Sequence, residues 1–102
     1  MSHWNYRILA TVIDDLDIQD VRFTIHEVHY DDNNEPVGFT ENSIIPVAFI
    51  SEPSDPIESI DWQLEAMKLA LKKPVLDYNN FPNEYFPYTR KKKLEEIEKH
   101  LQ

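Results

Sequence analysis

Residues 23–40 read FTIHEVHYDDNNEPVGFT. An extended run, a polar reversal and the start of a second extended run follow one another here. The remaining segments read as strands that pair with this hairpin or as elements that cover it. The reversal, residues 31–36, is rich in Asp and Asn, which tolerate turn conformations and hydrogen-bond their own backbone. It is longer than the tightest hairpin loops and predicts a looser turn. Gly38, the only glycine in the chain, lies just beyond it.

Upstream, the second strand is expected over residues 21–30, and its apolar pattern changes phase. Val21, Phe23 and Ile25 share one parity, Val28 and Tyr30 the other. Side chains alternate strictly along a strand. Either both faces are covered at different ends, or a β-bulge near His26 and Glu27 resets the register, and the bulge is preferred. Residues 3–13, HWNYRILATVI, alternate in the same way, with Trp4, Tyr6, Ile8, Ala10 and Val12 on one face. Leu9 and Ile13 break that pattern and point to partial cover on the far face. The acidic stretch 14–20, DDLDIQD, is expected to be the loop between these two strands.

Downstream, residues 37–40 and 44–50 read as a third strand interrupted by a polar step at 41–43. Pro46 lacks a ladder donor and favours an edge position. The clearest helix follows. Asp55 suits the N-cap, Pro56 the first helical position, and Glu58 has capping-box spacing. Ile57, Ile60, Leu64, Met67 and Leu71 make one apolar stripe that should lie on the sheet. Lys68, Lys72 and Lys73 suit the helix C-terminus, and Pro74 stops it. Val75 and Leu76 are expected to return to the core. Residues 77–88, DYNNFPNEYFPY, have no regular period. Thr89 then suits the cap of a last helix with a narrow seam of Leu94, Ile97 and Leu101. Its basic first turn opposes the helix dipole, so it needs the body, a second copy or a partner to be stable. The fold read from these elements is α+β: a three-stranded antiparallel meander with one helix packed on a face, plus a short C-terminal helix. Residues 1–77 form the core domain, and 78–102 an aromatic and proline-rich segment with the last helix.

Length and composition narrow the function classes. At 102 residues the chain is one domain. The absence of cysteine removes disulfides, thiolate nucleophiles and zinc–thiolate sites. No segment is long and apolar enough to span a bilayer, and no N-terminal stretch has the character of a signal peptide, so the expected location is cytoplasmic. The net charge is −9. Residues 1–89 carry five Lys and Arg against sixteen Asp and Glu, whereas residues 90–102 carry five against three. Such a body repels phosphate backbones, so nucleic acid is not an expected partner.

His26, Glu27 and His29 invite a metal or acid–base reading, yet strand alternation sends the two histidines to opposite faces unless a bulge intervenes. Asp31, Asn33 and Glu35 resemble the opening of a calcium loop, but Pro36 stands where glycine is needed and Asn42 where the bidentate Glu belongs. No phosphate-binding glycine loop or serine elbow is present. No cofactor, metal site or catalytic residue is expected, and the runner-up is a small metal-dependent or acid–base enzyme using His26, Glu27 and His29. The stronger clue is aromatic excess. Trp4, Tyr6, Phe23, Tyr30, Phe39, Phe49 and Trp62 suffice for a sheet–helix core, and Tyr78, Phe81, Tyr85, Phe86 and Tyr88 crowd into the irregular segment. They either cover the open sheet face or form an interface, because aromatics bring large contact area at low entropic cost. With Leu94, Ile97 and Leu101 they are the candidate interaction residues of a non-enzymatic, acidic protein-binding module. Its partner is another protein or a second copy; a phage-type inhibitor presenting acids in place of a nucleic-acid backbone is one form.

The strings WNYRIL, IHEVHYDDNNEPVGFTEN and DWQLEAMKLALKKPVLD, in this order over residues 3–77, resemble a family of small uncharacterised bacterial and phage-associated proteins. That family shares the segments W-x-Y-R, I-H-E-V-x-Y-D and K-P-V-L-D. The resemblance implies a shared fold and carries over no catalytic residue. This chain departs from the pattern at Asn34, where a turn glycine often sits, and in its aromatic and basic C-terminal extension.

Overall fold

The structure is a computed structural model that describes residues 3–88 and 90–101. Strands β1 (His3–Asp15) and β2 (Ile18–Tyr30) form one antiparallel hairpin, in register from His3 opposite Tyr30 to Asp15 opposite Ile18. Strand β3 (Pro36–Phe39) pairs antiparallel with the end of β2. Helix α1 (Pro56–Lys68) runs on into a 3-10 turn, Leu69–Lys72, ahead of Pro74. Strand β4 (Leu76–Asp77) pairs parallel with β1, and helix α2 (Arg90–Leu101) follows. The strand order is β3-β2-β1-β4. The α+β class matches the sequence reading; the expected three-stranded antiparallel meander is matched only roughly, because a parallel fourth strand makes the sheet mixed. Two residues are too short to show a period.

The hairpin corrects two further expectations. The acidic stretch 14–20 is not a loop, because the strands continue through it and only Leu16 and Asp17 turn. Its acids are exposed, and none opposes another directly: Asp14 faces Gln19 and Asp20 faces Ile13. Backbone pairing therefore survives the polarity. No bulge lies at His26 and Glu27, which sit opposite Arg7 and Tyr6 in continuous register. The change of phase comes from the other cause, cover on both faces. The irregularity that does occur is in the β2–β3 pairing, between His29 and Tyr30.

One face of the hairpin carries Tyr6 and Ile8 with Ile25, packed against Ala66, Met67, Ala70 and Ile44. The opposite face carries Leu9, Val28, Tyr30 and Leu76, packed against Phe39, Tyr78 and Phe81. Leu9 and Val28 are wholly buried, each worth roughly 1.5–3 kcal/mol over exposure. Sheet and helix thus form two layers, and the segment after β4 supplies the third.

Asp55 caps α1 as its sequence indicated, accepting from the Ile57 and Glu58 amides at 2.8 and 3.4 Å. The stripe is another matter. Met67 is buried, but Ile57, Leu64 and Leu71 are 74, 46 and 50 % exposed. The helix docks through Ala66, Met67 and Ala70, since small residues allow close approach around the Tyr6 ring. A stripe of large apolar residues overlooks alanines.

The third strand is shorter than expected. After Phe39, only isolated bonds continue the edge: Thr40 N–H to the Glu27 carbonyl and Ile44 N–H to the Ile25 carbonyl. Farther on, the Gln63 side chain takes the place of a strand. Its amide donates to the Val47 carbonyl at 2.8 Å, and its oxygen accepts from the Val47 N–H at 3.0 Å.

Leu16 has φ 44° and is fully exposed, at a position of a two-residue hairpin loop that favours glycine. Leu16→Gly is therefore expected to stabilise the fold by about 0.5–1 kcal/mol, the released left-handed strain less the added chain entropy. The readout is a higher urea midpoint at unchanged m value.

Candidate functional site

The histidine cluster is divided by the sheet. His26 is 2 % exposed on the face of Leu9 and Val28. Its Nδ1 donates to the Thr40 carbonyl at 2.8 Å, and its Nε2 lies within hydrogen-bond distance, 2.7 Å, of the Thr24 hydroxyl. Phe39 and Tyr78 pack their rings near it, with centroids at 5.7 and 6.0 Å. Glu27 and His29 belong to the opposite face, 4.0 Å apart between Oε2 and Nε2. The three side chains do not converge. Among the described residues, no group of three His, Asp or Glu side chains is placed to hold a metal ion.

The acidic turn has structural work of its own. Asp31 Oδ1 accepts from the backbone of Asn33 and of Glu35, both at 2.9 Å. Asn34 takes φ 65°, a left-handed conformation that asparagine adopts more readily than most residues and that glycine would supply. Tyr6 is buried and lies opposite Glu27. Burial, reinforced by the Glu27 charge, raises its phenol above the ordinary value.

The aromatic segment separates into parts. Tyr78 and Phe81 belong to the core: their rings lie 5.0 and 4.7 Å from that of Phe39. The Asp77 carboxylate holds their loop through the amides of Asn79 and Asn80, and Tyr78 N–H donates to the Ala10 carbonyl. Tyr85 and Tyr88 cross to the helix-covered face, where both pack on Phe23, at 6.4 and 5.0 Å. Phe86 is 78 % exposed.

These last rings border a groove of about 480 Å³ between the hairpin and the end of α1. Its walls are Ile8, Phe23, Leu71, Pro74, Val75, Tyr85, Phe86 and Tyr88, with Lys72, Lys73 and Glu84 also lining it. A second cavity is shared by Phe23, Tyr88, Lys93 and Glu96 and places the start of α2 beside the hairpin. Leu94, Ile97 and Leu101 remain exposed. Thr89, expected to cap α2, lies outside the described residues.

Sequence reasoning missed other exposed apolar groups. Phe49 and Trp62, assigned to the core, are 58 and 61 % exposed, and Ile45, Val47 and Ile50 are exposed too. Alternation along 44–50 was the available signal. Ile44 packs inward, while the following odd positions point out once no further strand covers them.

No described helix is long and apolar enough to cross a membrane. No family model matches the chain, and no curated protein or solved structure matches it.

Phe81→Ala is expected to cost about 2–3 kcal/mol of stability. Phe86→Ala should stay within about 0.5 kcal/mol; parallel urea denaturation of the two variants separates core from surface. Alkaline stability tests Tyr6. The folded state keeps a phenolic proton that the unfolded chain loses above about pH 10. Stability should thus fall as pH rises from the unfolded value through the raised folded one. Tyr6→Phe should make that decline shallower, read from urea midpoints across the alkaline range.

Proposed function

We propose that this chain is a non-enzymatic protein-interaction module. The observation that carries the reading is uncovered surface. The chain exposes 8128 Å², whereas a compact monomer of 12.1 kDa exposes about 6,000 Å². The excess, roughly 2,000 Å², is the scale of a specific protein interface. Shape agrees: the radius of gyration is 16.3 Å, against about 13 Å for a compact chain of this length.

Part of the uncovered surface is apolar and lies at the C-terminal end. Phe86 and the Leu94, Ile97 and Leu101 seam are exposed beside the groove that Tyr85 and Tyr88 border. A twelve-residue helix is marginal in water unless its apolar side is covered. The partner we infer is a protein that covers this seam and meets the acidic body with basic groups. That charge complementarity would speed association and make it salt-dependent. An inhibitor that offers its acids to a nucleic-acid-binding cleft is one form of such a module.

Affinity capture at low salt provides the test. The immobilised chain is compared with the triple variant Leu94→Asp/Ile97→Asp/Leu101→Asp, whose changes lie outside both core clusters. A protein retained by the parent and lost with the variant is the expected result. Identical captured sets, or none from either, would sink the proposal.

A further inference from the structure

The outer edge of β2 is only partly occupied. Ladder or isolated bonds reach it at His29, Glu27 and Ile25. Side-by-side alternation means that residues 19, 21 and 23 direct their backbone groups to that same edge. Among the described residues, the one bond made there is from the Val21 N–H to the Asp20 carboxylate, at 2.8 Å. An unpaired edge of this kind is a template for another strand unless it is blocked.

We propose that residues 18–24 of β2 pair antiparallel with the same stretch of a second copy of this chain, about a two-fold axis through Val21. Two independent features choose this register. The first is length. The free stretch is bounded by the turn at Leu16 and Asp17 and by Ile25, whose carbonyl is already taken by Ile44. Its midpoint is Val21, so each hairpin tip ends where the other copy's edge becomes occupied. The second is charge. With Val21 opposite Val21, Arg22 stands directly across from Asp20 of the second copy, and the contact repeats by symmetry. Shifting the axis to residue 22 sets Arg22 against itself, and shifting it to residue 20 sets Asp20 against itself. Opposite charges facing across strands stabilise a pair, and like charges oppose it.

Arg22 is exposed and makes no ion pair among the described residues. Pairing gives it a partner at each end of the contact. The Val21 N–H passes from the Asp20 carboxylate to the Val21 carbonyl of the second copy, and the released carboxylate turns to Arg22. In the monomer that carboxylate closes the edge; in the dimer it joins the interface. The cavity shared by Val21, Tyr88, Lys93 and Glu96 lies beside this edge. The axis therefore brings the two α2 helices to one side of the joined sheet.

Sedimentation equilibrium of the full chain, from micromolar to millimolar concentration, reads the outcome. The expected result is a reversible shift to twice the monomer mass. Val21→Pro removes the outward donor without touching the β1 ladder and should leave a folded monomer, checked by circular dichroism. Arg22→Asp should weaken dimerisation at least tenfold, and Asp20→Arg/Arg22→Asp should restore it, whether or not the proline variant folds. A monomer at every concentration overturns the proposal. So does a dimer that tolerates Arg22→Asp, or one lost only in the Leu94/Ile97/Leu101 variant. The capture experiment reads a different surface and stands or falls separately.

Discussion

Strict alternation along β1 sends Tyr6, Ile8 and Ala10 to one face of the hairpin and Arg7 and Leu9 to the other. Tyr6, Ala10, Arg7 and Leu9 are all buried. A strand covered on both faces needs cover from two directions, and the rest of the chain supplies it. The end of α1 provides one cover, at the side of Tyr6. The loop carrying Tyr78 and Phe81 provides the other, over Leu9 and Val28. Neither layer replaces the other, because a one-residue slip would exchange the two sets of side chains.

Two buried polar groups fasten these layers. Arg7 donates to the Tyr30 hydroxyl at 2.9 Å and to the Pro74 carbonyl at 2.8 Å, and Tyr30 in turn donates to Asn5. A guanidinium thus spans both long strands and the start of the return segment. Its Nε is buried without a partner, an arrangement that offsets part of what its other bonds contribute, since an unsatisfied buried donor costs about 1–3 kcal/mol. His26 does the corresponding work at the other edge, joining β2 to the Thr40 carbonyl where β3 ends. Of the three side chains that look like chemistry in the sequence, His26 is the one that holds the sheet to its neighbour.

The elements beyond these anchors are loosely covered. The hairpin tip extends past both core clusters, α1 meets the sheet at one end, and α2 keeps its seam in solvent. A small core cannot spread over so long a hairpin. The consequence is an acidic body with apolar strips on its surface.

Local signals carried much of this structure. The Asp55 cap with Pro56, the stop at Pro74, the alternation of β1 and the Asx-rich reversal each depend on neighbours in sequence, and the structure places them accordingly. Leu9, out of phase with its strand, even marked the second buried face. Other features depended on groups far apart in the chain. Gln63 replaces a ladder for Val47, Ala66 and Ala70 set the docked side of α1, and β4 exists because Leu76 finds Leu9. The candidate surface divides the same way. The aromatic run was visible as composition, but its partition into a half-buried pair, two rings on Phe23 and an exposed Phe86 was settled in space. Sequence by itself determined the strand and helix propensities, the charge and the apolar periodicities, because these act over a few residues. Tertiary structure alone decided which face each side chain buries and which it leaves exposed, because burial is set by what arrives from the far end of the chain.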